Sequence, residues 1–255
     1  MHVLERGASV PDPLIPYLQV DRSRVRHECW VTGHMVAGLD GTAAVDGRVG
    51  ALSTAPDQRL FHRMRQIADV VLVGAETVRK EGYGPVRLSD EAQAERRRQG
   101  RSSVPPIAVV SRSLALDLTA PVFREAPEDA RTGVITCASS DPEQRVRVEE
   151  FADLIEAGGD RVEPALALRA LADLGRCVVL CEGGPTWLGQ LVARDRLDEL
   201  CLSISPHIGG DFLPVSVAPA GTGLVTFALK GVMTEDDTLF LRYERTREGG
   251  VPGER

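Results

Sequence analysis

The sequence predicts one α/β domain built on a mixed, mainly parallel sheet flanked by helices, with an antiparallel hairpin closing its C-terminal end. Three stretches carry that prediction. VVLVGAETV, Val70 to Val78, runs from a buried-strand pattern through Gly74 into a helix-compatible segment. VLCEGGPTWL, Val179 to Leu188, repeats the device with Gly183, Gly184 and a Pro185 suited to a first helical turn. Two later β-rich runs, near Val225 to Val232 and Thr238 to Tyr243, are separated by Asp236 and Asp237 and read as a hairpin. A strand, a glycine turn and a helix start let a backbone approach a ligand closely and aim unpaired N–H groups at an anion. Two such turns suggest a dinucleotide.

Composition narrows the function classes. At 255 residues, 43% apolar and 26% charged, the chain is long enough for one large or two small globular domains. No run reaches the ~18 apolar residues of a membrane span, and the N terminus lacks a basic-then-apolar leader, so neither a membrane nor export is expected. A net charge of −7 argues against a nucleic-acid footprint. Cys29, Cys137, Cys177, Cys181 and Cys201 sit mostly in apolar runs without CxxC spacing, which reads as reduced, packed thiols in a cytoplasmic protein.

The elements follow in order. Residues 1–26 mix charges with Pro11, Pro13 and Pro16 and read as an N-terminal extension, a tail or clasp with a short helix around Leu14 to Leu18. CWVTGHMVA, from Cys29, is a first strand, followed by a glycine-rich loop through Asp40, Gly41 and Gly47. TAPDQRLFHRMRQIA sets Leu60, Met64 and Ile67 at helical spacing, with Pro56 and Asp57 at the helix start. Beyond the helix that opens near Ala75, Ser89 to Ser103 is a polar loop with helix potential, and Arg96, Arg97 and Arg98 beside Glu91 and Glu95 read as a solvated face. PPIAVVSRS is a short strand ending in Ser111 and Arg112, and Val134 to Cys137 is another. Asp141 to Ala157 opens on a helix-start signal and reads as one helix or a helix then a strand. Leu166 to Leu174 and Trp187 to Val192 are helices, and LDELCLSISPHIGGD alternates as a strand does.

HMVAGLDGTAA (His34 to Ala44), VVLVGAETV, AVVSR (Ala108 to Arg112), CEGGPTWL and LDELCLSISPHIGGD, in that order, resemble the reductase domain of the riboflavin-pathway deaminase-reductase family. The resemblance spans 27–247, leaves 1–26 and 248–255 as extension and tail, and implies a dihydrofolate-reductase-like fold. The deaminase's HxE and PCxxC signature is absent from this sequence, as is GxGxxG, and no metal site is expected.

By that resemblance the cofactor is NADPH, its pyrophosphate between the glycine turns. Ala37, Gly38, Val73, Gly74, Thr77, Glu182, Gly183, Gly184 and Thr186 would contact it, with Ser111 and Arg112 at the adenosine 2′-phosphate. A cationic fork there would favour NADP over NAD. The implied chemistry is hydride transfer to the carbon of a C=N bond in a pyrimidine or pteridine, with a proton to nitrogen. Met35 to Ala44 would flank the nicotinamide, with Gly38 and Gly41 as hinges of a lid. Asp57 would hold a guanidine-like ring edge, or else serve the helix dipole. Asp40 is a candidate acid or a turn residue, and Ser53, Asp57 and Arg87 are the expected substrate contacts. His62 and His207 are weaker candidates for proton donation. The resemblance departs at Arg79 to Leu88, where RKEGYGPVRL replaces an acidic DDP segment and a Thr-Arg pair, so either the phosphate-binding part of the pocket has changed or Arg87 supplies its charge from a shifted position. The expected substrate is 5-amino-6-(5-phosphoribosylamino)uracil. Dihydrofolate reduction and a non-catalytic NADPH-binding regulator are the alternatives, and a homodimer is implied by the family.

Overall fold

The computed structural model describes residues 9–23 and 27–247; the predicted tail 248–255 and the first part of the extension lie outside them. A short helix α1 (Ile15–Leu18) precedes the central strand β1 (Trp30–Ala37), then helix α2 (Ala55–Met64), strand β2 (Val70–Gly74) and helices α3 (Ala75–Glu81) and α4 (Asp90–Arg98). Strand β3 (Ile107–Val110), helix α5 (Pro121–Arg124), strand β4 (Gly133–Thr136), helix α6 (Pro142–Glu149) and strand β5 (Asp153–Glu156) build one half of the sheet. Helix α7 (Pro164–Asp173), strand β6 (Val178–Cys181), helix α8 (Pro185–Ala193) and strand β7 (Glu199–Ile204) build the other, before the hairpin β8 (Phe227–Glu235) and β9 (Thr238–Arg245).

The nine strands form one sheet in the order β5-β4-β3-β2-β6-β1-β7-β9-β8. Every pair from β5 to β7 is parallel, and only β7–β9 and β8–β9 run antiparallel. The mixed, mainly parallel α/β fold and its closing hairpin are thus as predicted. Asp236 and Asp237 form the hairpin turn with φ of 46° and 60°, the left-handed pair that two-residue hairpins need and that aspartate tolerates.

Strand β2 shows why the organising stretch reads as continuously apolar. Val71 and Val73 belong to a core layer with Leu60, Met64, Phe123 and Val148, whereas Val70 and Leu72 face a second layer with Leu168, Leu171, Leu188 and Leu191. A strand covered on both faces has no polar alternation to display. Asp141 to Ala157 resolves into α6 and then β5, the second of the two expected arrangements.

Two expectations are corrected. Ser89 to Ser103 is mostly helix α4, capped by Ser89. Arg96 on it is buried and donates to the carbonyls of Gln66, Ala68 and Ser102, so it ties loops together and does not belong to a solvated face. Its neighbours Arg97 and Arg98 remain exposed.

The extension behaves as a clasp over its described part. Leu14 and Tyr17 enter the first core layer. Arg22 donates to the Tyr17 carbonyl and to Glu199 of β7 at 2.9 Å. Glu199 is fully buried and also accepts from Trp30, Thr32 and Arg242. A buried carboxylate persists only when its oxygens are matched in this way.

Candidate active site

A cleft of about 1220 Å³ opens along the C-terminal edge of the sheet, where β1, β2, β3 and β6 end. Strand order changes direction here, since β1 and β2 flank β6 while the chain continues outward to β5 on one side and β7 on the other. Open parallel sheets hold ligands in the crevice of such a switch point.

The two glycine turns meet at the floor. The Gly74 N–H donates to the Gly183 carbonyl at 2.9 Å. A Cβ on Gly74 would stand 3.4 Å from the Gly184 nitrogen, and one on Gly184 would stand 2.8 Å from Thr77 Oγ1. The Gly74 backbone thus packs on the Gly183–Gly184 backbone, and a side chain at Gly184 would collide with the Thr77 hydroxyl. One consequence departs from expectation: the Gly74 N–H is already committed and is not free for an anion. The N termini of both α3 and α8 begin at a glycine that gives no side-chain cap, Gly74 and Gly184. Gly74, Thr77, Gly184 and Thr186 line the cleft, whereas Val73 and Gly183 sit behind its surface.

Helix α2 supplies one wall. Thr54 caps it by accepting from the Asp57 N–H. Leu60 and Met64 turn to the core, while Asp57, Phe61 and Arg65, spaced at i, i+4 and i+8, line the cleft. Asp57 Oδ2 accepts from Ser53 Oγ at 2.6 Å, but Oδ1 is buried with no partner among the described residues. His34 reaches the same place from β1. Its ring lies 5.6 Å from that of Phe61, and its Nε2 is also buried and unpartnered. Burial holds the His34 pKa below the ordinary imidazole value, against the pull of Asp57 and Glu182. A buried polar atom left without a partner costs roughly 1–3 kcal/mol, so two of them on one wall need a reason.

Glu182 was expected at the cofactor and proves to anchor the cleft from within. Arg65 donates to both of its oxygens, at 2.7 Å each, and Tyr83 donates to Oε2 at 2.8 Å. The Arg65 guanidinium lies 4.3 Å from the centre of the Phe61 ring. Burial, with Glu182 adjacent, pushes the Tyr83 hydroxyl well above its usual pKa, so it stays the donor.

The loop from Gly38 to Ser53 is tied down at several points. The Gly47 N–H donates to Asp211 at 2.6 Å, the Val49 N–H to Glu81 at 2.9 Å and the Leu39 N–H to the His207 carbonyl at 2.7 Å. Asp40 belongs to this lacing: its carboxylate accepts from the Thr42 and Gly209 N–H groups, and these bonds hold its pKa below the usual range. Asp40, Ala37 and Gly38 do not line the cleft, and the Asp40 carboxylate is engaged within the turn. A Cβ on Gly38 would lie 2.9 Å from the His207 carbonyl oxygen, a close approach that explains that glycine.

At the far end Ser111 and Arg112 follow β3. Ser111 Oγ accepts from the Leu114 N–H, and Arg112 has no hydrogen-bond or ion-pair partner among the described residues. Arg79 of α3 also lines the cleft and donates to the carbonyl of Ala115, three residues beyond Arg112. Arg87 is on the rim, highly exposed and 3.7 Å from Glu125. His62 lines the cleft and His207 does not; the latter pairs with Ser205. No cluster of His, Cys, Asp and Glu fit for a metal occurs among the described residues, and no helix there is long and apolar enough to cross a membrane.

Of the residues singled out from the sequence, the structure brings Ser53, Asp57, Gly74, Thr77, Arg87, Ser111, Arg112, Glu182, Gly184 and Thr186 together on this cleft. Sequence reasoning did not single out His34, Phe61, Arg65 or Tyr83. The i, i+4, i+8 column on α2 was the available signal.

Comparison with known proteins places the site in context. A reductase of Archaeoglobus fulgidus, 2,5-diamino-6-ribosylamino-4(3H)-pyrimidinone 5′-phosphate reductase, is 29% identical over 184 residues, 71% of this chain and 82% of the relative. The riboflavin biosynthesis protein RibD of Mycobacterium tuberculosis is 28% identical over 225 residues, 86% of this chain and 53% of that protein. A pyrimidine reductase-like protein of Corynebacterium diphtheriae superposes with a TM-score of 0.81 at 25% identity, covering 92% of this chain and 98% of the other. The sequence profile of the RibD C-terminal domain matches residues 29–239. That match covers strands β1 to β8, both glycine turns and the α2 wall, and the chain belongs to the RibD C-terminal domain family.

Proposed function

We propose that this chain is an NADPH-dependent reductase of riboflavin biosynthesis that reduces a C=N bond in a phosphoribosylated aminopyrimidine. The observation that carries the reading is the half-satisfied carboxylate of Asp57, buried at the wall of a cleft whose floor is made of two glycine turns. A carboxylate oxygen kept dry and open matches an amino or ring N–H donor of the substrate.

The residues present fit a dinucleotide. The bare floor at Gly74 and Gly184, the hydroxyls of Thr77 and Thr186 and the uncapped start of α8 suit a pyrophosphate. Trp187 Nε1, buried and unpartnered beside them, is a further donor at this end. Arg112, with Ser111 and Arg79 at its side, offers free positive charge for a 2′-phosphate, and this is what favours NADPH over NADH. When bound, NADPH supplies the hydride. The chain's part is to fix the ring by Asp57 and to hold Arg65 and Tyr83 rigid through Glu182. The laced loop from Gly38 to Ser53 closes off water.

Asp57 also suits the 2-amino edge of a pterin, so dihydrofolate is the second substrate reading. Reduced cysteines suit a cytoplasmic enzyme. The family's homodimer is part of the same proposal, and the exposed Ile208, Phe212 and Leu224 in the segment between β7 and β8 provide apolar surface for it.

The test is consumption of NADPH by purified protein, followed by absorbance, with each substrate against a no-substrate control. Turnover of 2,5-diamino-6-ribosylamino-4(3H)-pyrimidinone 5′-phosphate or its uracil counterpart is the expected result. Turnover of dihydrofolate alone would move the assignment to pterins. NADPH binding with neither turnover would make the chain a binding protein.

A further inference from the structure

We propose that a second cavity, between the N-terminal clasp and the closing hairpin, is a ligand site separate from the reductase cleft, and that it takes a small aromatic carboxylate. The cavity measures about 530 Å³, within the range of small-molecule sites. Tyr17 of α1, Trp30 of β1, Met233 of β8 and Phe240 of β9 form its apolar lining. It shares no lining residue with the cleft at the strand ends.

The hairpin is shaped around this space. Its pairing shifts between Leu229 and Gly231, so that Lys230 is an extra residue in β8. A bulge of this kind re-aims a side chain, and here Lys230 lines the cavity beside Gly231. The backbone at Gly231 is not left-handed, and a Cβ there would meet Arg242 Cβ at 3.8 Å, an ordinary contact. Neither the bulge nor the packing demands glycine at this point. What the missing side chain preserves is room next to Arg242.

The groups left uncommitted define the ligand. Arg242 donates to Glu199 and Glu244, and Asp21 accepts from Ser23, so these charges are engaged. The Lys230 ammonium comes no nearer to Glu244 than 3.8 Å, beyond hydrogen-bonding distance. Tyr17 is 2% exposed, yet its hydroxyl has no hydrogen-bond partner among the described residues. Burial, with Cys201 and Glu199 near, pushes that hydroxyl well above its usual pKa and keeps it a donor. An ammonium and a phenol with protons to give call for an acceptor, and the ammonium for an anionic one. One uncommitted cation beside Glu244 balances a single negative charge, which selects a carboxylate over a doubly charged phosphate. The aromatic lining takes the ring that carries it.

The test is a ligand-observed NMR titration of the full-length protein with 2-naphthoate, and with 2-naphthamide as its uncharged counterpart, each with and without NADPH. Binding of 2-naphthoate with a Kd of about 1 mM or below is expected, undiminished by NADPH, with the amide about tenfold weaker. Lys230→Met keeps the stem and removes the charge, and it should raise the Kd of the acid about tenfold and erase its advantage over the amide. Gly231→Leu fills the cavity and should abolish binding of both, with NADPH affinity retained. Lys230 is exposed, so Lys230→Met decides the matter even where Gly231→Leu proves unstable. No binding by about 10 mM overturns the proposal. Displacement of 2-naphthoate by NADPH, or an equal Kd in the unmodified protein and Lys230→Met, does so as well.

Discussion

Two buried carboxylates divide this molecule into a part that holds and a part that waits. Glu199, on β7, accepts from Arg22, Trp30, Thr32 and Arg242 and has no open oxygen. Asp57, 3% exposed on α2, accepts from Ser53 on one oxygen, and the other meets nothing. The fold invests donors from the N-terminal clasp, β1 and β9 in the first and leaves the second half-matched. Folding alone penalises an unmatched buried oxygen, and on the proposed reading it is the substrate that completes this one. Glu182 lies between these cases. It stands in the cleft but is fully engaged by Arg65 and Tyr83, so it belongs with Glu199 as a carboxylate that positions others.

The contrast is most forcefully tested by removing each carboxylate. Glu199→Leu leaves Arg22 and Arg242 buried without their acceptor and is expected to cost about 3–5 kcal/mol in a urea melt. The kcat/KM of the protein still folded should be unchanged, and a loss of activity in excess of unfolding would show that the clasp reaches the cleft. Asp57→Asn should do the reverse. Losing a charge-assisted bond to substrate is expected to cost ~2–3 kcal/mol in kcat/KM, about a hundredfold, while Tm holds or rises. If Asp57→Asn unfolds the protein, the two carboxylates are alike after all.

Smaller effects sharpen the same division. Arg112→Ala should raise the KM for NADPH about tenfold and leave that for NADH near its original value, since a surface cation on a phosphate contributes about 1–2 kcal/mol. Equal losses for both nucleotides would remove Arg112 from the 2′-phosphate. The least effect is in pH. The His34 pKa is depressed by burial, so its neutral form contributes stability that is fully present above the unfolded histidine pKa and is lost as pH falls through the folded one. Tm should therefore fall more between pH 7.5 and pH 5.5 in the unmodified protein than in His34→Gln. Parallel curves would mean that His34 is not the group being charged.

The fold was largely legible because its strands are buried on both faces and announce themselves as apolar runs between glycines, as β2 and β6 do. Helix α2 was legible on one side only. Leu60 and Met64 marked its core face, but Asp57, Phe61 and Arg65 form a second inward face that a one-stripe pattern does not reveal. Arg96 misled because its triple arginine looks solvated, while burial depends on the carbonyls of Gln66, Ala68 and Ser102, two of them from a different part of the chain. Asp40 was ambiguous for the same reason: its partner Gly209 is 169 positions away. His34 stood in plain view within a strand, yet only the absence of a partner sets it apart from a core histidine, and absence is a property of the folded state.

The most direct measurement is the rate of NADPH oxidation with 2,5-diamino-6-ribosylamino-4(3H)-pyrimidinone 5′-phosphate, taken side by side for the unmodified protein and Asp57→Asn, with Tm recorded for both. Turnover in the first, a drop of about a hundredfold in the second and an undiminished Tm would bear out a cleft completed by substrate at Asp57. Equal rates in the two proteins would contradict it.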